Sequence, residues 1–274
     1  MSSRQPTPQE PLQKLQQKPR PSGRRIIALW FPHWAAEIAA SDHDRAQPFA
    51  LIDKHKNAQR LVALNHAAQI AGLHMAMPLA DARALVPALQ TAIADNRQAK
   101  ARLDKCAQWL QRYTPWVGHD GTYKSAIETP HGLVEYGLLL DVSGCAHLFG
   151  GERALVSDMA ARFEKHGITL RAAMAGTIGA AWGLARFSPT PITVLPEGQE
   201  AEAVLCLPPA ALRIENAHID LCQRLGLETV AQLARFPRRD LTRRFGPLPV
   251  MRLEQALGQA GESLNPCLPP PQFL

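Results

Sequence analysis

The carboxylates of this 274-residue chain could hold divalent metal ions if the fold brought them together. Mg²⁺ takes hard oxygen ligands in near-octahedral geometry, and phosphoryl transfer is one reaction that uses two such ions held by fixed carboxylates. The first apolar stretch, residues 26–36, contains no acidic residue. Glu135 and Asp141 lie just before and within a later apolar stretch, 138–142, and are the nearest candidates. Two acids do not make a site for two metal ions, so no metal site is predicted.

Arginines cluster in the last third of the chain, and the planar guanidinium suits phosphate recognition. Residues 213–252 hold eight arginines against four acids, a net charge of 8 − 4 = +4. Residues 1–25 hold six basic residues and Glu10, a net charge of 6 − 1 = +5. The whole chain carries +6, so the remainder sums to −3. Two basic stretches on a slightly acidic body favour a polyanion partner, and solvated arginine faces are the alternative.

The composition favours an ordinary globular protein. Hydrophobic residues make up 46% of the chain. No apolar run reaches the roughly 18 residues of a membrane span, and the N-terminus lacks the apolar region of a signal peptide. We therefore expect a cytoplasmic protein without membrane contact. The five cysteines are scattered without a C-x-x-C pair, which argues against structural zinc and disulfides, and no cofactor is predicted.

Apolar periodicity predicts mixed strands and helices as far as residue 187. A short apolar run that begins at Arg24-Arg25 is typical of a buried central strand. Mixed in this order, the elements favour an α+β fold with helices on one face of a sheet. Further strands are expected at 49–53, 60–64, 125–128, 138–142 and 169–175, and helices at 34–40, 65–71, 77–86, 96–113, 152–166 and 178–187.

A change of pattern after a Pro-containing link at 188–196 predicts a second domain. Residues 198–262 are expected to be helical throughout, with turns at Gly226, Pro237 and Gly246. Residues 1–23 are rich in Gln, Pro, Lys and Ser, which predicts a disordered basic tail. Residues 266–274 form a Pro-rich end.

Four segments, in order along the chain, match a known family, namely Arg25-Ile-Ile-Ala-Leu-Trp-Phe-Pro-His33, Leu61 to Pro78, Leu138 to Glu152 and Met174 to Arg186. They resemble the Y-family (UmuC-like) DNA polymerases that copy past lesions. The resemblance covers about residues 24–270, and the family's next domain, the little finger, is expected to be absent. The string Gly-Cys-Ala-His-Leu-Phe-Gly-Gly at 144–151 resembles in particular the ImuB-like, catalytically inactive branch.

The resemblance implies an α+β fold with a ferredoxin-like palm sheet and an all-helical thumb. The palm is placed at 24–197 with a fingers subdomain near 54–95, and the thumb at 198–265. The positions of the family's catalytic acids fall on or beside Trp30 and on Tyr136 and Gly137. Those of the fingers residues that grip the triphosphate fall on His66 and Gln69. These are degenerate former active-site positions, so no catalytic residue is expected.

In the predicted thumb, Leu225-Gly226-Leu227 resembles a helix-hairpin-helix. The turn amides and the following helix N-terminus of such a motif can hold a DNA phosphate, and these contacts bind the backbone without reading sequence. A structural hairpin with solvated arginines is the alternative. The candidate DNA-binding residues are Gly226, Leu227, Thr229, Arg235, Arg238, Arg239, Arg243 and Arg244.

The resemblance implies a non-catalytic adaptor of DNA repair and translesion synthesis in the damage-induced (SOS) response. Its implied partners are DNA, an ImuA-like protein, a separate error-prone polymerase and the sliding clamp. In the family the protein contacts lie largely in the C-terminal part, so we expect them to be weak here. Two alternatives stay open: an active error-prone polymerase whose metal site is rearranged on Glu135 and Asp141, and a truncated remnant without function.

Overall fold

The structure, a computed structural model, describes residues 23–40, 45–55, 58–120 and 135–267. The strands in that part are β1 (Ile26–Phe31), β2 (Phe49–His55), β3 (Ala58–Leu64), β4 (Gln90–Ile93), β5 (Val117–His119), β6 (Tyr136–Asp141), β7 (Arg171–Ala175) and β8 (Ile192–Val194). The helices are α1 (Trp34–Ala39), α2 (His66–Ile70), α3 (Leu79–Leu85), α4 (Asn96–Leu110), α5 (Glu152–Lys165), α6 (Ile178–Phe187), α7 (Glu200–Leu205), α8 (Asn216–Arg224), α9 (Val230–Ala234), α10 (Arg238–Phe245) and α11 (Pro247–Ala256). Short 3₁₀ turns lie at Ala146–Phe149 and Pro209–Leu212.

Two sheets organise these strands. Five strands form one sheet in the order β5-β6-β1-β7-β8, and three form another in the order β3-β2-β4. β1 lies in the middle of the larger sheet, as its short apolar run predicts, and Ile26, Ile27 and Leu29 are fully buried. β7 pairs in parallel with β8, whereas β2 pairs antiparallel with β3 and parallel with β4. Mixed sheets with helices between the strands confirm the α+β prediction.

The chain divides into two compact units. Among the described residues, the first contains 23–29, Leu139–Val156 and 172–264. The second contains the described residues between Trp30 and Leu138, Ser157–Arg171 and 265–267. The predicted boundaries of tail, palm, fingers, thumb and Pro-rich end stay predictions.

Helix α6 is the buried centre of the first unit. An apolar sequence on all sides of a helix predicts burial on all sides, and every residue from Ile178 to Arg186 is buried. Two glycines allow close approach of its neighbours. A Cβ at Gly179 would stand 2.8 Å from the Cα of Ala256 in α11. At Gly183 it would stand 3.2 Å from the Cβ of Ala211.

Helix α4 is the longest helix of the second unit. Asp95 caps its N-terminus, since its carboxylate accepts hydrogen bonds from the amides of Arg97 and Gln98. The indole N–H of Trp34 donates to the carbonyl of Ala99 at 2.8 Å. Apolar residues spaced three or four apart bury one face of the helix, namely Ala99, Leu103, Ala107 and Leu110.

Some elements differ from the sequence prediction. Three short strands, β4, β5 and β8, were not expected, and β8 lies within the segment predicted to be a link. Strands of three or four residues show too little periodicity to be recognised. The prediction of helix up to residue 262 is wrong, because α11 ends at Ala256 and Gly258 adopts a left-handed φ of 74°. The predicted strand at 125–128 lies outside the described residues.

Within the described ranges, no helix is long and apolar enough to cross a membrane. The cytoplasmic location stays a prediction.

Candidate functional site

The positions predicted for the family's catalytic acids lie in β1 and β6. Trp30 is half-buried in β1, whereas Tyr136 and Gly137 are buried at the start of β6. The ring centroid of Tyr136 lies 6.5 Å from that of Trp34. The carbonyl of Gly137 accepts a hydrogen bond from the amide of Asp120 at 3.3 Å. These positions therefore take part in the packing of the second unit.

Asp141 is the acid of β6, the strand that holds Tyr136 and Gly137. Both of its carboxylate oxygens already accept hydrogen bonds. Oδ1 accepts hydrogen bonds from the amide of Ser143 at 3.1 Å and from its hydroxyl at 2.6 Å. Oδ2 accepts a hydrogen bond from Nε of Arg24 at 3.2 Å. A carboxylate that bonds the backbone two residues ahead is a turn device. Among the described residues, no three His, Cys, Asp or Glu side chains are arranged to hold a metal ion.

The two predicted fingers positions lie one turn apart on the exposed side of α2. His66 and Gln69 are both exposed. The His66 ring lies 5.8 Å from that of His33, whose Nδ1 donates to the carbonyl of Leu64 at 2.8 Å. Burial lowers the pKa of His33, the bond to Leu64 raises it, and the nearby His66 lowers it. The structure thus brings the imidazoles of His33 and His66 together. Neither the imidazole of His66 nor the amide of Gln69 can donate two parallel hydrogen bonds to a phosphate, as an arginine does.

In the predicted hairpin, the turn amides donate within the protein. Gly226 adopts a left-handed φ of 68°, and its N–H bonds the carbonyl of Gln223 at 3.0 Å. The amide of Leu227 bonds the carbonyl of Cys222 at 2.9 Å. Together these two bonds form the Schellman ending of α8, which requires a residue that tolerates positive φ.

The start of α9 is closed by a capping box. The hydroxyl of Thr229 accepts the amide of Gln232 at 3.3 Å, and the side chain of Gln232 accepts the amides of Glu228 and Thr229. The amide of Val230 bonds the carbonyl of Leu207 at 2.8 Å. The predicted DNA contacts of Gly226, Leu227 and Thr229 stay predictions. A phosphate could bind to these amides only if their present hydrogen bonds were broken. The arginines are therefore the main candidates for DNA contacts.

Helix α10 carries an exposed arginine pair. Arg239 and Arg243 are four residues apart and therefore share one face of the helix, opposite the buried Leu241 and Phe245. Within the described part of the chain, neither has a carboxylate within 4.0 Å. Two unneutralised guanidinium groups on one helical face can contact successive phosphates of a nucleic acid backbone.

The remaining candidate arginines differ in their surroundings. Arg238 is paired, since its Nε lies 3.2 Å from Oε1 of Glu254 in α11 and its Nη2 lies 3.3 Å from Oε2. Arg244 is exposed one turn after Asp240, and Arg235 is exposed at the end of α9. Sequence spacing alone could have found the Arg239–Arg243 face, but the Arg238–Glu254 pair joins residues of two helices.

The structure has the fold of the Y-family DNA polymerases, as predicted. It is similar to "DinB from Sulfolobus solfataricus" with a TM-score of 0.65 at 14% identity, covering 88% of this chain and 69% of that one. Similarity to the "insertion ternary complex of Dbh DNA polymerase" gives a TM-score of 0.66 at 14% identity, with the same coverage of both chains. Likeness at this identity defines the fold alone.

Sequence comparison then defines the family. Residues 29–186 match the impB/mucB/samB family, and the chain belongs to it. Over 194 residues the chain is 42% identical to Protein ImuB of Caulobacter vibrioides strain NA1000 / CB15N, a match that covers 71% of this chain. Protein ImuB of strain ATCC 19089 / CIP 103742 / CB 15 matches equally well. This confirms the ImuB-like resemblance, although the chain spans only 39% of the length of these relatives.

Proposed function

We propose that this chain is a non-catalytic, ImuB-like protein of DNA damage tolerance that binds the DNA backbone and assists a separate error-prone polymerase. The proposal is carried by the positions where the family resemblance predicts the metal-binding carboxylates, because the sequence has Trp30, Tyr136 and Gly137 there. Without fixed carboxylates the two metal ions of phosphoryl transfer lack their ligands. The bonds of Asp141 to Ser143 and Arg24 support the proposal, because they commit the neighbouring acid to a turn.

DNA binding is proposed for the exposed arginines of α10, with Arg239 and Arg243 as the principal contacts. Their face bears two unneutralised cations and no acidic partner among the described residues. Phosphate contacts of this kind are independent of sequence. The similar Dbh structure is an insertion ternary complex of a DNA polymerase, which supports a nucleic acid as the ligand of this fold.

The partners proposed for this chain are an ImuA-like protein, an error-prone polymerase and the sliding clamp. The chain spans 39% of the length of its ImuB relatives. The proposal therefore covers only contacts made by the matched part of those relatives. We expect dissociation constants weaker than micromolar. Titration calorimetry with each purified partner measures them, and micromolar or tighter binding would show that the matched part carries the contact.

Primer extension tests the non-catalytic assignment. The chain, at high concentration with Mg²⁺ or Mn²⁺, should add no template-directed nucleotide to a labelled primer. A second candidate, an active polymerase with a metal site on Glu135 and Asp141, is favoured only by the likeness of the fold to polymerases. Incorporation that disappears in a Glu135→Ala, Asp141→Ala double variant would establish that candidate, whereas incorporation that survives in the double variant indicates a contaminating enzyme.

A further inference from the structure

A second basic surface lies on the outer face of α4 in the second unit. Arg97 and Lys105 are exposed and eight residues apart in α4, opposite its buried face, and the exposed Arg112 follows two residues after the helix ends at Leu110. Ala101 and Gln108 fill the places between them. At 1.5 Å per residue, Arg97 and Lys105 are about 12 Å apart along the helix axis. We call these residues the α4 stripe.

The carboxylates around the stripe are used elsewhere. Asp95 caps α4, and Asp104 accepts a hydrogen bond from the His119 ring at 2.9 Å. Asp158 of α5 bonds Nε of Arg162 at 2.9 Å and also accepts the hydroxyl of Tyr113, and it interacts electrostatically with Arg112. Within the described part of the chain, none of the three cations of the stripe has a carboxylate within 4.0 Å. The face is therefore cationic at Arg97 and Lys105, while Asp158 partly offsets the charge of Arg112.

Aromatic side chains lie at one end of the stripe. The guanidinium carbon of Arg112 lies 4.6 Å from the ring centroid of Trp109, so the aromatic ring holds the charge in place. Trp116 follows four residues later and is 56% exposed. Four residues of chain span at most about 15 Å, which keeps Trp116 within reach of Arg112. An indole this exposed contributes little to the core of the unit.

We propose that the α4 stripe and Trp116 form a binding surface for single-stranded nucleic acid. Lysine and arginine neutralise phosphates, and an exposed indole offers a stacking platform for an unpaired base. A duplex does not present such a base, because its bases are stacked on each other. The combination of a cationic stripe with a terminal aromatic ring therefore favours a single strand over a duplex.

This surface goes beyond the duplex contacts proposed for α10. Its residues belong to the second unit, whereas Arg239 and Arg243 belong to the first. Substitutions in one surface leave the other intact, so the two proposals can fail separately. The basic residues of 1–25 are the same in every variant, and their contribution cancels when variants are compared.

Fluorescence anisotropy with labelled dT30, rU30 and a 30-base-pair duplex tests whether the cations of the α4 stripe bind single strands. Single-stranded binding contributes about −0.7 per neutralised phosphate to the slope of log affinity against log salt. The Arg97→Ala, Lys105→Ala, Arg112→Ala triple variant should make the slope for dT30 or rU30 shallower by about 2. The Arg239→Ala, Arg243→Ala variant should leave that slope nearly unchanged and weaken duplex binding. Arg83→Ala, an exposed arginine of α3, is the control for loss of a charge.

Substitution of Trp116 tests the stacking platform. Trp116→Ala should weaken single-strand binding about tenfold at low salt without changing the slope, while Trp116→Phe retains most of the affinity. Ile93→Ala, which removes a side chain that is 80% exposed, is the matched control. An unchanged slope in the triple variant overturns the proposal, and so does unchanged affinity in Trp116→Ala. Equal losses for duplex and single strand in the triple variant overturn the preference for a single strand.

Discussion

Glu262 and Arg213 form an ion pair through two hydrogen bonds, both 2.7 Å long, with 15% and 8% of their side chains exposed. Nη1 of Arg252 adds a third bond to the same carboxylate at 2.8 Å. Nη1 of Arg24 donates to the backbone carbonyl of Glu262 at 2.7 Å. One residue thus holds three arginines from separate segments of the first unit.

Glu262→Ala should destabilise the protein by about 3–5 kcal/mol, because it leaves the Arg213 guanidinium buried without a counter-charge. Glu254→Ala is the matched control, since its partner Arg238 is 73% exposed, and it should cost no more than about 1 kcal/mol. Urea unfolding followed by circular dichroism measures both. Equal losses in the two variants would contradict a special role for the buried pair.

Arg239→Ala, Arg243→Ala should make the salt dependence of duplex DNA binding shallower by about 2, since each phosphate contributes about −0.9 to the slope. Arg238→Ala should change the slope less, because Glu254 already holds that guanidinium. Anisotropy titrations at several salt concentrations distinguish the variants. If Arg238→Ala has the larger effect, the exposed pair is not the main DNA contact.

Gly179→Ala should destabilise the first unit by about 1–2 kcal/mol. Alanine is the better helix former by about 1 kcal/mol, but its Cβ would stand 2.8 Å from the Cα of Ala256, so backbone must move. Gly261→Ala, where a Cβ meets open space, should change the free energy of unfolding by less than about 0.5 kcal/mol. Thermal unfolding compares the two. A stabilised Gly179→Ala protein would show that α6 and α11 are not tightly packed.

His33 should make the folded state sensitive to acid. Burial lowers its folded pKa below the ordinary value of 6.5, so the unfolded chain binds the proton more readily. Its contribution to stability is complete above pH 6.5 and decreases as the pH falls from there through the folded pKa. His33→Gln, whose amide can still donate to Leu64, should therefore show a smaller decline in urea midpoint from pH 7.5 to 5.5.

The exposed His74 provides the control for this pH effect. His74→Gln should keep the full decline of the wild-type protein. A decline of equal size in His33→Gln and wild type would assign the acid sensitivity to other groups.

Local patterns in the sequence were enough to predict most of the longer elements. The apolar run at β1, the three-and-four spacing of α4 and the all-apolar α6 each follow from residues that are neighbours along the chain. The family motifs likewise lie within short segments, and for that reason the Y-family fold could be predicted. The Arg239–Arg243 face follows from a spacing of four residues in one helix.

Only the tertiary structure decided which charges are neutralised and which amides are occupied. Arg238 meets Glu254, and Arg213 meets Glu262 across 49 residues of chain. No local pattern contains such pairs, because they depend on how distant segments pack. The short strand β8 exists for the same reason, since its three residues are extended by pairing with β7 rather than by their own periodicity. The sequence therefore determined the longer elements and the family, while packing decided the short strands and the partners of the charged groups.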